Sequence, residues 1–350
     1  MVAENGGVGA GESGVTGDRL GRLRLAAQAL TPATAAAGPV DAARAVVGIQ
    51  AQDVRAAALA LRSRVPGLRR ADVDGSPLVR TWTLRGTVHL HDPADLPWLD
   101  AVLGPRNRAR FEEAMRRRGD YEVASGLLGD LVELLAGGPL DRATLLAELA
   151  GRGHPALGQP SVNMLMPWAA ARGLVAGLPD GRYRAAQPLP AVDAEAALAT
   201  LARRYLAGYG PASAADLAWW SGLPLATARR ALAAAAPTET AGELFALPGT
   251  FDAAPPAAPP ALLLAAFETT MLGYRRREPL VAAGHDRRVL PGGGMLRPVV
   301  LVDGRAAGTW GVPVRAGRPA VTIEWFGDPA PSAALDAEMR RVEAFLAPVH

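Results

Sequence analysis

The sequence predicts a mainly helical protein with small β elements (α+β), built from tandem winged helix-turn-helix domains followed by a C-terminal β-barrel-like domain. Three observations predict this class: helical segments precede a strand near the N-terminus, a Gly-Pro helix-start motif recurs mid-chain, and a proline-rich linker leads into β patterns. We expect a disordered tail over 1–17, winged-helix domains over 18–120, 121–188 and 189–252, and the barrel-like domain with a terminal helix over 253–350.

Composition restricts the possible functions. The 350 residues are 49% hydrophobic and 20% charged, as in a folded soluble protein, and no apolar run is long enough for a membrane span. Residues 1–16 have neither the basic nor the apolar region of a signal peptide, so we expect a cytoplasmic protein. The chain lacks cysteine and its five histidines are scattered, so we expect no metal and no cofactor.

The positive charge is carried entirely by arginine. The net charge is only +3, but the chain contains no lysine, so all 37 basic residues are arginines. Arginine can bind phosphate through two parallel hydrogen bonds, which makes an anionic partner possible. A coding bias toward GC-rich codons would also explain this composition.

Two glutamines lie between two helices of the N-terminal unit. Apolar residues at helical spacing predict helices over Asp18–Leu30, Pro39–Gly48 and Asp53–Arg64. Gly48 can end the second helix, and Asp53 can cap the third. Gln50 and Gln52 lie between these signals, where extended backbone would place both side chains on one face. Two interpretations are open: the amides cap helix ends, or both serve one site.

The segment Val79–His91 alternates with period two, as a strand with one apolar face does. The opposite face is polar and partly basic: Thr81, Thr83, Arg85, Thr87, His89 and His91. Gly86 indicates a bulge, a bend or a close backbone approach. Such a face suits contact with phosphate or nucleic acid, and the alternative is an ordinary solvated strand face. We take Arg80, Arg85 and His89 as candidate phosphate contacts, with Thr83 and Thr87 as possible support.

The middle of the chain contains a repeat. A helix over Asp95–Leu103 and an arginine-rich run over Arg106–Arg118 precede it; the run can lie along a nucleic-acid backbone or form a solvated helix face. Segments 138–145 and 210–217 share the pattern Gly-Pro-x-[Asp/Ser]-x-x-x-Leu. Asp141 and Ser213 are then the N-caps of equivalent helices.

Each copy of the repeat is followed by β patterns. In the first copy, an Asp-Gly turn within residues 174–184 predicts a hairpin in the position of a wing. We take Arg182 and Arg184 on this hairpin as further phosphate contacts. In the second copy, Leu244–Leu247 predicts a short strand, and the preceding pair Trp219 and Trp220 suits helix packing better than base stacking.

The C-terminal part changes to β. After the linker Ala253–Pro260, alternating segments predict a hairpin over Val299–Trp310 and strands over Val312–Val314 and Pro319–Trp325. A helix over Ser332–Leu346 closes the chain. A small barrel or curled sheet accommodates these strands.

The motifs Gly48-Ile49-Gln50-Ala51-Gln52 and Arg80-Thr81-Trp82-Thr83-Leu84-Arg85-Gly86-Thr87-Val88-His89 resemble those of the AlkZ-type (YcaQ-like) DNA glycosylases. The segments Phe267–Arg276, Pro291–Gly294, Val300–Arg305 and Gly308–Trp310 fit the same family in order, so the resemblance covers roughly residues 18 to 346. One departure is Glu268, where we expect aspartate; we expect it to affect local packing rather than chemistry.

The resemblance implies a monofunctional DNA glycosylase with tandem winged-helix domains and a β-barrel, which removes N7-alkylated purines and in some members unhooks antibiotic crosslinks. The family's Gln-apolar-Gln signature corresponds to Gln50 and Gln52 as catalytic residues, and Asp53 is possible support. The implied partner is double-stranded DNA carrying alkylated purines, bound by a monomer without membrane contact. Two alternatives are a winged-helix transcriptional regulator and a catalytically inactive architectural DNA binder.

Overall fold

The computed structural model of the protein describes residues 17–154, 159–315 and 318–347. The predicted tail therefore lies outside the described residues, except for Gly17, which begins the first helix. Residues 316 and 317 in the predicted strand connection also lie outside them. The described chain is a mixed α and β structure in which short strands alternate with helices along the sequence.

The N-terminal third contains the helices α1 (Gly17–Ala27), α2 (Pro39–Ala45), α3 (Val54–Arg62), α4 (Arg70–Asp74) and α5 (Leu96–Arg117). Its strands are β1 (Ile49–Gln50), β2 (Val79–Trp82) and β3 (Val88–His91). Helix α5 is much longer than predicted: it continues through the arginine-rich run because Phe111 and Met115 keep an apolar face buried.

The middle third contains the helices α6 (Tyr121–Ala136), α7 (Arg142–Gly151), α8 (Gln159–Ala171), α9 (Ala194–Tyr209), α10 (Ala214–Ser221) and α11 (Leu225–Ala234). Its strands are β4 (Val175–Gly177), β5 (Tyr183–Ala185), β6 (Ala212–Ser213), β7 (Glu239–Ala241) and β8 (Leu244–Ala246). Asp141 and Ser213 cap α7 and α10 by accepting from backbone N–H groups three residues on, so the predicted helix starts of both repeats are confirmed.

The C-terminal third contains the strands β9 (Ala261–Leu264), β10 (Val299–Val302), β11 (Arg305–Gly311), β12 (Val314–Arg315), β13 (Arg318–Pro319) and β14 (Thr322–Trp325). Its helices are α12 (Thr269–Leu272), α13 (Asp286–Val289) and α14 (Ala333–Leu346). The main sheet has the order β14–β11–β10–β9 and is open, with different strands at its two edges. Within the described residues there is thus no closed barrel, so of the two predicted possibilities, a small barrel or a curled sheet, the closed barrel is not found.

A second sheet joins the N-terminal and middle parts, with the order β1–β3–β2–β4–β5. The predicted strand over Val79–His91 is in fact the hairpin β2–β3, because Arg85 and Gly86 adopt positive φ angles of 55° and 69° and reverse the chain. The bend expected at Gly86 is confirmed. Pairing of Arg80 with Gly177 attaches the predicted Asp-Gly hairpin, β4–β5, to this sheet.

The hydrophobic core crosses the proline-rich linker. One cluster of buried residues extends from Ala42 on α2 through Tyr205 on α9 to Val300 on β10. A second cluster surrounds Trp168 on α8, and a third packs Leu25 of α1 against the C-terminal sheet. The segments that carry Gln50 and the C-terminal sheet are therefore held in one continuous core. Among the described helices, none has the length and apolar character needed to cross a membrane.

Candidate active site

The backbone of the Gln-Ala-Gln segment is non-helical, with Gln50 at the end of β1, and it is held from two sides. Gln50 pairs with His89 across β1 and β3, and the Ala51 N–H donates to the Val88 carbonyl at 2.8 Å. The Arg80 Nε–H donates to the Ala51 carbonyl at 3.1 Å. These contacts orient the two glutamines toward a common region, and the predicted non-helical backbone is confirmed.

The two glutamine amides are in direct contact. Gln50 Nε2 donates to Gln52 Oε1 at 2.7 Å, with Gln50 buried and Gln52 exposed. Neither amide caps helix α3, because Asp53 does so: its carboxylate accepts from the N–H groups of Arg55 at 2.8 Å and Ala56 at 3.1 Å. The predicted cap at Asp53 is confirmed, and the alternative that the glutamines cap this helix is wrong.

The two residues that precede strand β1, Val47 and Gly48, have positive φ angles. Val47 has φ 61° and Gly48 has φ 138°, and a Cβ at Gly48 would lie 2.4 Å from the His91 ring. Only glycine fits that approach. The His91 Nδ1–H donates to the Val47 carbonyl at 2.7 Å, and the Tyr209 hydroxyl donates to the Val46 carbonyl at 2.9 Å. The strained segment is thus supported by partners on both sides.

Arg85 contacts the glutamine pair directly. Its Nη2 donates to Gln50 Oε1 at 3.0 Å and its Nη1 to the Trp220 carbonyl at 2.5 Å. Burial lowers the pKa of Arg85 below its ordinary value, but a guanidinium stays protonated in proteins. Gly222, at the end of α10, allows this approach, because a Cβ there would lie 3.1 Å from the Arg85 Cα.

Two buried histidines lie beside the pair on β3. Burial, followed by the charges of His91 and Arg85, holds the pKa of His89 well below its ordinary value. Burial lowers the pKa of His91 to about 4. Both rings are therefore neutral near pH 7. His89 Nδ1 lies 3.0 Å from the Thr87 carbonyl, which can only accept, so the proton of the neutral ring resides on Nδ1.

Three predicted phosphate contacts are not on an open polar face. Arg80 is buried against Tyr183, with its guanidinium 5.5 Å from the ring centroid, because Arg80 shares the apolar face of the sheet. Arg85 directs its guanidinium inward to protein carbonyls, and His89 is buried. The expectation of a solvent-facing basic strand is wrong for these three side chains, because Arg80 and His89 are buried and the Arg85 guanidinium is bound by protein oxygens.

The threonines stabilise the hairpin. The Thr87 hydroxyl donates to the Leu84 carbonyl at 3.0 Å within the turn. Thr83 Oγ1 lies 2.7 Å from His91 Nε2, which must accept because Nδ1 donates to Val47. Neither threonine bonds to Gln50 or Gln52 among the contacts of the described chain.

The arginines of the second hairpin lie at the edge of the site. A Cβ at Gly181, in the β4–β5 turn, would lie 3.6 Å from Val54 Cγ1, so the hairpin tip is close to the first residue of α3. Arg182 is exposed and pairs with Asp180 at 2.7 Å, and Arg184 is half-buried. Of the predicted basic contacts, Arg182 is therefore the exposed one, while Arg184 is half-buried like Arg85.

The tryptophan pair has two different environments. Trp220 is buried against Tyr205 and Tyr209, as predicted, but Trp219 is 44% exposed on α10, so its predicted role in packing is wrong. The link from Trp220 to Arg85 was not predictable, because its acceptor is a backbone carbonyl without a residue signature. A cavity of about 750 Å³ between α3 and α14 is lined by none of the predicted site residues.

Comparison with known proteins gives the same family. The chain matches the family described as DNA glycosylase AlkZ-like over residues 43–345. It resembles the solved structure of Streptomyces sahachiroi DNA glycosylase AlkZ with a TM-score of 0.68 and 22% identity, over 94% of this chain and 96% of that one. No curated protein sequence matches. Because the family match spans most of the chain and the fold agrees along nearly its whole length, the chain belongs to the AlkZ-like family of DNA glycosylases.

Proposed function

We propose that the chain hydrolyses the N-glycosidic bond of N7-alkylated purines in duplex DNA, using Gln50 and Gln52 to place the attacking water. The observation that carries this proposal is the 2.7 Å contact between a buried and an exposed amide on a non-helical segment that is hydrogen-bonded from two sides. Family membership supports DNA as the substrate. Winged-helix domains that bind the duplex as a monomer, and activity on bulky adducts or crosslinks, belong to the same proposal.

The chemistry explains why amides suffice. An N7-alkylated purine is already cationic, so its departure needs no general acid. Water oxygen bonds to C1′, the C1′–N9 bond breaks with its electrons passing to the purine, which leaves neutral, and the released proton passes to solvent. An amide can accept from this water through oxygen and donate through nitrogen. Its carbonyl dipole also stabilises the developing oxocarbenium ion. A neutral base would leave slowly, which gives selectivity for alkylated purines.

DNA binding is proposed to use phosphate contacts around this segment. The tip of the β4–β5 hairpin lies against Val54 at the start of α3, two residues after Gln52, and Arg182 and Arg184 follow this tip in the chain. Arginine contacts to phosphate position a duplex without reading its sequence. An enzyme that selects alkylated bases by the chemical reactivity of the base needs DNA binding that does not depend on sequence.

The test is release of N7-methylguanine from alkylated duplex DNA under single-turnover conditions. We expect the Gln50→Ala/Gln52→Ala variant to lose about a hundredfold or more in rate, the size typical for removing preorganised polar groups. Gln187→Ala, an exposed glutamine far along the chain, is the matched control and should keep the wild-type rate. DNA affinity should be the same in all three proteins.

Other outcomes would change the assignment. If the wild-type protein releases neither methylated bases nor bulky adducts and unhooks no crosslinks, yet binds DNA, a winged-helix regulator is the better description. If release is equal in wild type and the double glutamine variant, the protein is a glycosylase with a different catalytic group.

A further inference from the structure

The backbone of Arg85 is fixed in an uncommon conformation, which an arginine that only contacts phosphate in solvent would not require. It lies at φ 55° in the β2–β3 turn, and its backbone carbonyl accepts from Arg110 Nη1 at 2.7 Å. Positive φ at a residue other than glycine is uncommon and strained, and it persists where the surroundings enforce it. Here a backbone contact on one side and Gly222 on the other enforce it. The backbone of Arg85 is therefore as fixed as its side chain.

The contact with Arg85 determines which way the Gln50 amide faces. A guanidinium only donates hydrogen bonds, so the Gln50 atom 3.0 Å from Arg85 Nη2 must be its carbonyl oxygen. The amide nitrogen then faces Gln52, whose oxygen must accept at 2.7 Å. One donor-only group thus sets the polarity of both amides.

The two glutamines are consequently not equivalent. Gln50 is buried, its oxygen is bound by Arg85, and its nitrogen is bound by Gln52. Gln52 is exposed, and among the contacts of the described residues its amino group and one lone pair of Oε1 are left for an additional partner. If the Gln50 amide flipped, exchanging Oε1 and Nε2, the Gln52 amide would have to flip as well. An N–H donor of Gln52 would then stand where the free lone pair of Oε1 is now.

We propose that Arg85 is a positioning residue for the hydrolysis proposed above: it fixes the Gln50–Gln52 relay so that Gln52 touches the nucleophilic water and Gln50 acts through Gln52. This inference rests on the proposed function of the glutamine pair. The guanidinium is kept behind Gln50 by its second bond, to the Trp220 carbonyl. Both of these hydrogen bonds end on protein carbonyl oxygens, so in this position the guanidinium supplies orientation rather than phosphate affinity.

The test is a double-mutant cycle between Arg85 and Gln50. Arg85→Met keeps the length of the side chain but removes its donors. We expect this variant to release N7-methylguanine about tenfold to a hundredfold more slowly in single turnover, the effect of a misplaced reacting group. Its affinity for the same duplex should stay within about twofold. In the Gln50→Ala background, Arg85→Met should change the rate by less than about twofold, because the relay is already broken.

Arg230→Met is the matched control. Arg230 lies on α11 in an exposed pair with Glu195 on α9 at 3.4 Å, so this variant should release the base at the wild-type rate. The proposal would be overturned if Arg85→Met slowed base release in the Gln50→Ala background by as large a factor as it does in the wild-type background. So would a loss confined to DNA affinity, which would identify Arg85 as a phosphate contact.

A second measurement does not depend on turnover. The side-chain NH₂ resonances of Gln50 and Gln52, assigned with the single alanine variants, should shift and exchange faster with solvent in Arg85→Met than in wild type. Unchanged resonances would refute the positioning role even if the wild-type protein released no base. Failure of the proposed function and failure of this inference are thus distinguishable.

Discussion

At the scale of single residues, neutral histidine supports the strained turn before the glutamines. His91 donates to the carbonyl of Val47, a β-branched residue at φ 61°, and accepts from the Thr83 hydroxyl. Such a backbone conformation costs about 1–3 kcal/mol and persists only where the surrounding contacts enforce it. In the neutral ring, Nδ1 donates to Val47 and Nε2 accepts from Thr83. Protonation would place a positive charge in this buried site and make the Thr83 hydroxyl the acceptor of the second bond.

The free energy of unfolding should depend on pH because the His91 ring is buried in its neutral form. Since the pKa of His91 is lowered from 6.5 to about 4 by burial, the unfolded chain binds the extra proton first as pH falls. The contribution of neutral His91 to the free energy of unfolding is therefore complete above pH 6.5 and is lost as pH falls toward 4. We expect wild type to lose about 2 kcal/mol from this residue between pH 7 and pH 5.

Urea unfolding at both pH values checks this prediction. His91→Gln keeps a polar side chain but does not titrate, so its unfolding free energy should change less with pH than that of wild type. Parallel pH profiles for the two proteins would contradict the assignment of the buried ring as neutral.

At the scale of elements, the residue that caps helix α3 lies directly after Gln52, so the cap affects both the helix and the glutamine pair. Asp53 follows Gln52 directly and accepts from two N–H groups of the first helical turn. A cap of this kind typically stabilises a helix by about 1 kcal/mol. Because Gln52 immediately precedes the cap, the cap also anchors the backbone of the exposed glutamine.

Two substitutions at Asp53 separate capping from catalysis. Asp53→Asn retains a good cap but removes the carboxylate base, so base release should stay within about threefold of wild type. Asp53→Ala should lower the free energy of unfolding by about 1 kcal/mol and slow release more than Asp53→Asn does. A hundredfold loss in Asp53→Asn would instead identify the carboxylate as a general base.

At the scale of the whole molecule, buried ion pairs tie the glutamine-bearing unit to the C-terminal part. Arg64, just beyond α3, contacts Glu268 at 2.6 Å with both side chains fully buried. Arg62 makes two hydrogen bonds of 2.7 Å to Glu338 on α14. Glu268, where aspartate was expected, contacts Arg64 and caps α12, in keeping with an effect on packing.

Removing one partner of the buried pair should destabilise the whole chain. Glu268→Ala leaves the Arg64 charge buried and unpaired, so we expect the free energy of unfolding to fall by about 3–5 kcal/mol. Arg64→Met/Glu268→Leu should recover much of this loss. Glu324→Ala, which breaks an exposed pair with Arg288, should cost less than about 1 kcal/mol.

Thermal and denaturant unfolding measure these differences. A loss at Glu268→Ala as small as that at Glu324→Ala would mean that the two parts are not coupled through this pair.

The sequence by itself determined the features that depend on neighbouring residues. The Asp53 cap, the Asp141 and Ser213 helix starts, the Asp-Gly hairpin and the extended backbone at Gln50 all follow from side chains that act within a few positions of themselves. The family resemblance was also carried by short local motifs, and the family match over residues 43–345 confirms it.

Only the tertiary structure decided what each arginine and histidine faces. Arg80, Arg85 and His89 lie in an alternating segment that locally resembles a solvated basic strand, but the chain covers it. The decisive contact for Arg85 comes from a backbone carbonyl 135 residues away, and the partner of Arg64 is 204 residues away. Burial and charge pairing arise when distant segments meet, so no local pattern can specify them. Whether a guanidinium faces phosphate or protein is therefore decided by the fold.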